Sequence, residues 1–138
     1  MKEKNFNITS DYDNVAGVIQ DIKKYLASEN LEEHLCNAVD ICLTEALNNV
    51  IKHSYGGNSS KPIDINVKKD SKYMQIEIVD VGLPRKNLVI KDLDFDPNDI
   101  DNLPESGMGL FIIKQLMDEL DYGTKEGKNY FILKKWLI

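Results

Sequence analysis

Apolar residues along this chain recur with two spacings, and each spacing predicts a type of secondary structure. Apolar positions three and four residues apart predict helices at 11–27, 31–55 and 107–120. Alternation of apolar and polar residues predicts strands at 5–9, 62–69, 72–81, 121–125 and 129–137. Turn-forming glycines follow the second helix and separate the last two strands, at Gly56, Gly57 and Gly127. The predicted order is strand, two helices, two strands, a loop, a helix and two strands.

This order predicts an α+β fold. Two pairs of consecutive strands are joined by short turns, near 70–71 and at Gly127, so the sheet, although mixed, is expected to be mainly antiparallel. The amphipathic helices must bury their apolar stripes, which predicts a two-layer sandwich with the helices on one face of the sheet. A length of 138 residues fits a single domain, 1–138.

The segment 83–106 is acidic, contains proline and shows only weak periodicity. A connection of this length in a small domain is usually either functional or disordered. It lies between two glycine-containing motifs described below. We therefore predict that it is a mobile cover over a ligand, with a loop of no particular function as the alternative.

Composition narrows the classes of function. The net charge is −6 with a single arginine, Arg85, which argues against a nucleic-acid-binding surface. The first residues do not resemble a signal peptide, and the apolar runs are too short to span a membrane. Cys36 and Cys42 fall on different faces of one predicted helix, so we expect two buried free thiols rather than a disulfide. These features predict a cytoplasmic protein.

The second predicted helix has an unusual polar face between residues 40 and 54. That face holds Glu45, Asn48, Asn49, Lys52 and His53. Asparagine is a poor helix former, and an exposed face would more often hold Glu, Lys, Gln or Ala. An amide oxygen can bind a hard cation, and a carboxylate one turn earlier can accept a proton beside a magnesium-bound phosphate. The alternative is a solvated helix face with slight strain.

Two glycine motifs follow. Asp80-Val81-Gly82 ends a predicted strand, where an aspartate can accept a hydrogen bond from an exocyclic amine and a glycine permits close approach of a flat ring. Gly107-Met108-Gly109 opens the third helix, where free N–H groups can bind phosphate. Alone, the first motif could be an ordinary turn. The second could be a helix start capped by Ser106.

Together and in this order, the three motifs resemble the Bergerat-fold (GHKL) ATPases, which include histidine kinases, gyrase B and MutL. The similarity is strongest to the small anti-sigma factor serine/threonine kinases. It rests on the runs Thr44-Glu45-Ala46-Leu47-Asn48-Asn49-Val50, His53-Ser54-Tyr55 and Leu103-Pro104-Glu105-Ser106-Gly107-Met108-Gly109-Leu110-Phe111. The resemblance extends over nearly the whole chain and implies the Bergerat ATP-binding fold.

The resemblance also implies ATP and Mg²⁺ as cofactors and a role for each motif residue. Asn49 would bind Mg²⁺, and Glu45 would be the catalytic base. Asp80 would bind the adenine amino group with Gly82 beside the base. Phosphate would contact Gly107, Met108 and Gly109, with charge from Lys52 or His53, and 83–106 would be the ATP lid. The implied partners are a STAS-type anti-anti-sigma protein, which is phosphorylated, and a sigma factor, with a homodimer as the assembly.

Two positions depart from the family pattern. Leu83 stands where family members often have a second glycine, and Asn129 stands near where many have a threonine that reaches adenine. Two alternatives follow for this position: Asn129 takes the place of that threonine in binding adenine, or the contact with adenine is absent. The departures keep a second hypothesis open, in which the chain is a partner-binding module that binds nucleotide without catalysis.

Overall fold

The computed structural model describes residues 2–84 and 107–138, without the side chains of 107–109. The strands within these residues are β1 (Lys2–Thr9), β2 (Pro62–Lys69), β3 (Tyr73–Asp80), β4 (Glu119–Lys125) and β5 (Lys128–Trp136). The helices are α1 (Val15–Ser28), α2 (Glu33–Asn49) and α3 (Gly107–Leu116). A 3-10 turn, Tyr12–Asn14, precedes α1, and a π-helical segment, Val50–Ser54, directly follows α2.

The five strands form one sheet in the order β1-β2-β3-β5-β4, and each of its four pairings is antiparallel. The predicted α+β class and mainly antiparallel sheet are therefore confirmed. The pairing of β3 with β5 places Asp80 opposite Asn129. The pairing of β5 with β4 places Asn129 opposite Thr124. Three consecutive strands thus present polar residues at the same end of the sheet.

The core lies between the helices and one face of the sheet. Alternate strand residues are buried on that face, including Ile63, Ile65, Ile76, Ile78 and Leu133. The helices bury the predicted stripes, including Ile19, Ile22 and Leu26 from α1 and Val39, Leu43 and Leu47 from α2. Helix α2 packs between α1 and α3. The opposite sheet face carries half-buried polar residues such as Asn66 and Glu77, as expected for two layers.

Several predicted boundaries differ from the structure, and three of these differences have a clear cause. Strand β1 begins at Lys2 rather than Asn5, because its early residues also pair with β2. The helix expected at 31–55 changes from α to π geometry after Asn49. Helix α3 ends at Leu116, whereas Leu120 was the predicted end, because Glu119 and Leu120 pair with β5. The predicted lid, 83–106, lies outside the described residues apart from Leu83 and Pro84.

Both cysteines lie in α2 and are free and buried. Burial raises the pKa of the Cys42 thiol to about 12. Among the residues that the structure describes, no helix combines the length and apolar character needed to cross a bilayer.

Candidate functional site

A pocket lies where the end of α2, the end of β3 and the first turns of α3 meet. Its lining residues are Ala46, Asn49, Val50, Ser54, Asp80, Leu110, Tyr122 and Phe131. The empty space among them is about 350 Å³, including the part that is open to solvent. The structure therefore brings Asn49, Asp80 and the residue after the third motif, Leu110, to a common pocket, although they are far apart in sequence.

Asn49 is the last residue of α2 and has an unmet hydrogen-bonding requirement. Its Nδ2 atom is buried and has no hydrogen-bond partner among the described residues. An unsatisfied buried donor costs about 1–3 kcal/mol, so the amide is poorly satisfied unless a ligand reaches it. Glu45 lies one helical turn earlier and is half-buried, outside the residues that line the pocket.

Asp80 ends β3 and is only 3% exposed. Its Oδ1 atom accepts hydrogen bonds from the Gly82 N–H at 2.9 Å and from Asn129 Nδ2 at 2.7 Å. Burial raises the pKa of the Asp80 carboxyl, although hydrogen bonds from Asn129, Gly82 and Ser54 oppose that rise. The result is a buried acceptor at the wall of the pocket, suited to a ligand that presents an N–H donor.

Asn129 is 1% exposed and supports Asp80 rather than lining the pocket. Its Nδ2 also donates to the Gly82 carbonyl at 3.0 Å. Its Oδ1 accepts from Thr124 Oγ1 at 2.9 Å. One asparagine therefore connects β3, the turn after β3, and β4.

Gly82 lies against the end of the helical region. A Cβ atom at this position would lie 2.3 Å from the Ser54 carbonyl oxygen and 2.8 Å from a Tyr55 ring carbon, so no larger residue fits without a shift of the backbone. The Leu83 N–H donates to the same Ser54 carbonyl at 2.8 Å. The Val81 N–H donates to the Tyr55 hydroxyl at 2.9 Å. The turn after β3 is thus fastened to the residues that follow α2.

Gly107, Met108 and Gly109 form the first turn of α3. The first N–H groups of a helix have no partner within the helix and carry partial positive charge, which suits an anion. The next residue, Leu110, is buried and lines the pocket. The third motif therefore begins the helix that closes one side of the site.

Lys52 and His53 lie in the π-helical segment, outside the pocket lining. Lys52 is exposed and His53 is half-buried. A π-helical turn contains more residues than an α-helical turn. The helical wheel that placed both residues with Asn49 therefore does not hold beyond Val50.

Sequence reasoning missed several residues of the site. Ser54 is 4% exposed and donates to Asp80, and Thr124 orients Asn129. Tyr122 and Phe131 contribute aromatic walls with ring centroids 6.4 Å apart. Ser54 could have been suspected from its place just after the polar helix face. Thr124 carries no local signal, because its role depends on the pairing of β4 with β5.

The donor set fits one kind of metal. The described residues contain no group of three or more His, Cys, Asp or Glu side chains that could hold an ion by themselves. Mg²⁺ usually keeps several water ligands and takes others from substrate phosphates, so a single protein ligand is sufficient for it. Asn49 lies at the pocket wall, where its amide oxygen could be that ligand, while its unpartnered Nδ2 donor suits a phosphate oxygen beside the metal.

Comparison with known proteins matches this chain to one protein family. The model of the histidine kinase-like ATPase domain matches residues 8–135. Similar curated proteins are named serine-protein kinase RsbW. The one from Oceanobacillus iheyensis is 28% identical over 90 residues, covering 63% of this chain and 57% of that protein. The one from Staphylococcus aureus strain JH9 is 37% identical over 93 residues, with the same coverage of 63% and 57%. The alignments thus span less than two thirds of these relatives.

Solved structures agree in fold. The SiaB–SiaC complex from Pseudomonas aeruginosa contains a chain with a TM-score of 0.66 at 15% identity, covering 96% of this chain and 89% of that one. The RsbU and RsbW domains of a Mycobacterium tuberculosis protein also give 0.66, at 12% identity, covering 98% of this chain and 32% of that one. At these identities the similarity establishes the fold, and it agrees with the α+β sandwich described above.

Proposed function

The chain belongs to the histidine kinase-like ATPase domain family, and from that membership we propose that it is an ATP- and Mg²⁺-dependent protein serine/threonine kinase. The proposed protein substrate is a STAS-type anti-anti-sigma protein. In the same proposal the chain is an anti-sigma factor that also binds a sigma factor and forms a homodimer in the cytoplasm. The names of the RsbW relatives and of the SiaB–SiaC complex support a kinase with a protein partner.

One observation supports this proposal most strongly. The buried, unpartnered amide nitrogen of Asn49 and the buried carboxyl of Asp80 belong to the wall of the same pocket. The first is a donor that suits a phosphate oxygen of a nucleotide, with the oxygen of the same amide left to bind the metal, and the second suits the amino group of adenine. Residues that are 31 positions apart in sequence (49 and 80) thus provide complementary chemistry for the two ends of ATP.

The proposed roles follow the order of the motifs. Asp80 binds the base with Gly82 beside it, and Asn129 holds Asp80. The N–H groups of Gly107, Met108 and Gly109 bind phosphate, and Lys52 or His53 adds positive charge nearby. Magnesium bound at Asn49 would neutralise phosphate charge during transfer.

Glu45 would accept the proton of the attacking serine hydroxyl, one turn from Asn49. The chain's own contribution to the reaction is thus to position the reactants and to provide a base, which is how phosphoryl transfer is usually catalysed. The proposed lid, 83–106, would exclude water from this step.

The test separates binding from transfer. Glu45→Gln should bind ATP with Mg²⁺ about as well as the wild type, while phosphate transfer falls by about 10²-fold or more, because the base is lost. Asn49→Ala should lose the Mg²⁺-dependent part of binding. Binding is measured by calorimetry with and without Mg²⁺, and transfer by radiolabelled phosphate on STAS-domain proteins of the same cell.

Glu33→Gln is the matched control, since Glu33 is an exposed residue in the first turn of the same helix. This variant should keep both binding and transfer. Transfer at the wild-type rate in Glu45→Gln would refute the assignment of the base.

The alternative function is a non-catalytic module that binds nucleotide and a partner. It is favoured by Asn129, whose amide hydrogen-bonds within the protein where many family members have a threonine at the base. Wild-type protein that binds ATP but transfers phosphate to no candidate partner would support this alternative.

A further inference from the structure

The buried side chain of Asn129 makes three hydrogen bonds, which go beyond what is needed to fill space in the core. On one side, its Nδ2 donates to Asp80 Oδ1 at 2.7 Å and to the Gly82 carbonyl at 3.0 Å. On the other side, its Oδ1 accepts from Thr124 Oγ1 at 2.9 Å. Each polar atom of this buried side chain is thus hydrogen-bonded, and its orientation is determined by three groups on two neighbouring strands and a turn.

These contacts restrict how Asp80 can meet a ligand. An ionised carboxylate has about four acceptor positions. Asn129 and the Gly82 N–H occupy two of them on Oδ1, and the Ser54 side chain also hydrogen-bonds to this carboxylate. Because each of these groups is a donor, they favour a charged carboxylate in one rotamer, with accepting capacity left for a group in the pocket.

We propose that Asn129 is the positioning residue that makes this pocket select a 6-aminopurine over a 6-oxopurine, by holding Asp80 as a fixed hydrogen-bond acceptor. This inference rests on the proposed function, because it assumes that the pocket binds a purine nucleotide. It assigns the selectivity to a side chain behind Asp80 that does not touch the base.

The chemistry of the two purines makes the selectivity testable. Adenine has an amino donor at position 6, and hypoxanthine has a carbonyl acceptor there. A carboxylate held by donors accepts from the first and repels the second. Without Asn129, the buried carboxyl is more easily protonated and freer to rotate, so that it can donate to the carbonyl of hypoxanthine. The sugar and phosphates are identical in ADP and IDP, so the ratio of their affinities isolates the base.

The experiment compares ADP and IDP binding, each with Mg²⁺, by calorimetry on purified full-length protein. The wild type should prefer ADP by at least about tenfold, since a site built for a donor discriminates against its absence. In Asn129→Val that preference should fall by about tenfold, towards equal binding, with the loss of a hydrogen bond to a charged group. Asn129→Thr has nearly the shape of valine but restores one donor to Asp80, so it should recover most of the preference.

Asn66→Val is the matched control. Asn66 also donates its amide to a carboxylate across a strand pair, to Glu77 Oε1 at 3.0 Å, but it does so on the opposite face of the sheet. This variant should keep the wild-type ratio of ADP to IDP affinity. A general loss of stability changes both affinities alike and leaves the ratio unchanged.

The outcomes are distinct. If the wild type binds neither nucleotide, the proposed function and this inference both fail. If the wild type prefers ADP and Asn129→Val keeps that preference, the inference alone fails. Should Asn129→Val not fold, as judged by circular dichroism, Thr124→Val removes the bond that orients the Asn129 amide and should reduce the preference by about threefold. An unchanged ratio in that variant would contradict the inference.

Discussion

Asp80 is a carboxyl group that is stabilised in a buried position by neutral donors. Three donors reach it, from the Gly82 backbone, Asn129 and Ser54, yet burial still raises its pKa. A raised pKa means that the folded protein binds a proton more readily than the unfolded chain does. The ionised form therefore lowers the free energy of unfolding at pH values above the folded pKa, and this destabilisation disappears below the unfolded pKa of about 3.9.

Asp80→Asn should consequently raise the melting temperature at pH 7. An amide of the same shape can still accept at Oδ1, and it carries no charge to be desolvated. The gain over the wild type should shrink as the pH falls towards about 3.5, where the wild-type carboxyl is protonated in both states. Thermal unfolding followed by circular dichroism between pH 3.5 and 8 measures this.

Asp21→Asn removes the same charge from an exposed position in α1 and is the control for that experiment. Its melting temperature should follow the wild type across the pH range. If the wild type is more stable than Asp80→Asn at pH 7, the hydrogen bonds to the charged Asp80 carboxylate contribute more free energy than desolvation of that charge costs.

Local rules of sequence predicted Asn49 and Asp80, because an amide on a helix face and an aspartate at a strand end are unusual where they stand. The same rules could not predict that Asn129 holds Asp80. That contact joins residues 49 positions apart and depends on the register of β3 with β5. Ser54 was missed for a similar reason, since its contact requires the helix end to meet the end of β3.

At the scale of elements, the most informative feature is the change from α to π geometry at Val50. The apolar stripe continues through Ile51 into the π-helical segment, so periodicity alone predicted one uniform helix. The wider turn directs Ser54 and Tyr55 towards the end of β3, where they contact Asp80, Val81 and Gly82. At α3, strand pairing in Glu119 and Leu120 overrode a local helical pattern.

Deletion of Lys52 tests the importance of this segment. Segments of π-helix correspond to one extra residue in an α-helix, so the deletion should restore α geometry and rotate Ser54 and Tyr55 away from β3. We expect a loss of about 2 kcal/mol or more in the free energy of unfolding, as several buried hydrogen bonds break. Urea unfolding measures the change.

Lys52→Ala is the control for the deletion, because it removes the same exposed side chain and leaves the helical register intact. It should change stability by less than about 0.5 kcal/mol. Equal stability of the deletion and the alanine variant would contradict a role for the π-helical register.

At the scale of the whole molecule, the pocket exists only after the two layers have assembled. Its lining comes from α2, the π-helical segment, β3, α3, β4 and β5. Sequence patterns predicted the hairpins β2–β3 and β4–β5, because their turns are short and local. The central pairing of β3 with β5 brings together strands that are distant in sequence, and no periodicity encodes it. The layers were therefore predictable, whereas the neighbours across the pocket were not.

The two buried thiols in α2 allow transient local unfolding of the protein to be measured, because a buried thiol reacts only when the structure around it opens. A thiolate is the form that attacks disulfide reagents, and with its pKa raised to about 12 Cys42 has almost none at pH 8 while the fold is closed. Labelling of Cys42 in a Cys36→Ser variant should thus be limited by opening, accelerate in mild urea, and slow when ADP and Mg²⁺ stabilise the closed form. Mass spectrometry of samples quenched at successive times measures the labelling rate. Labelling as fast as in fully denatured protein would show that the fold does not protect the Cys42 thiol.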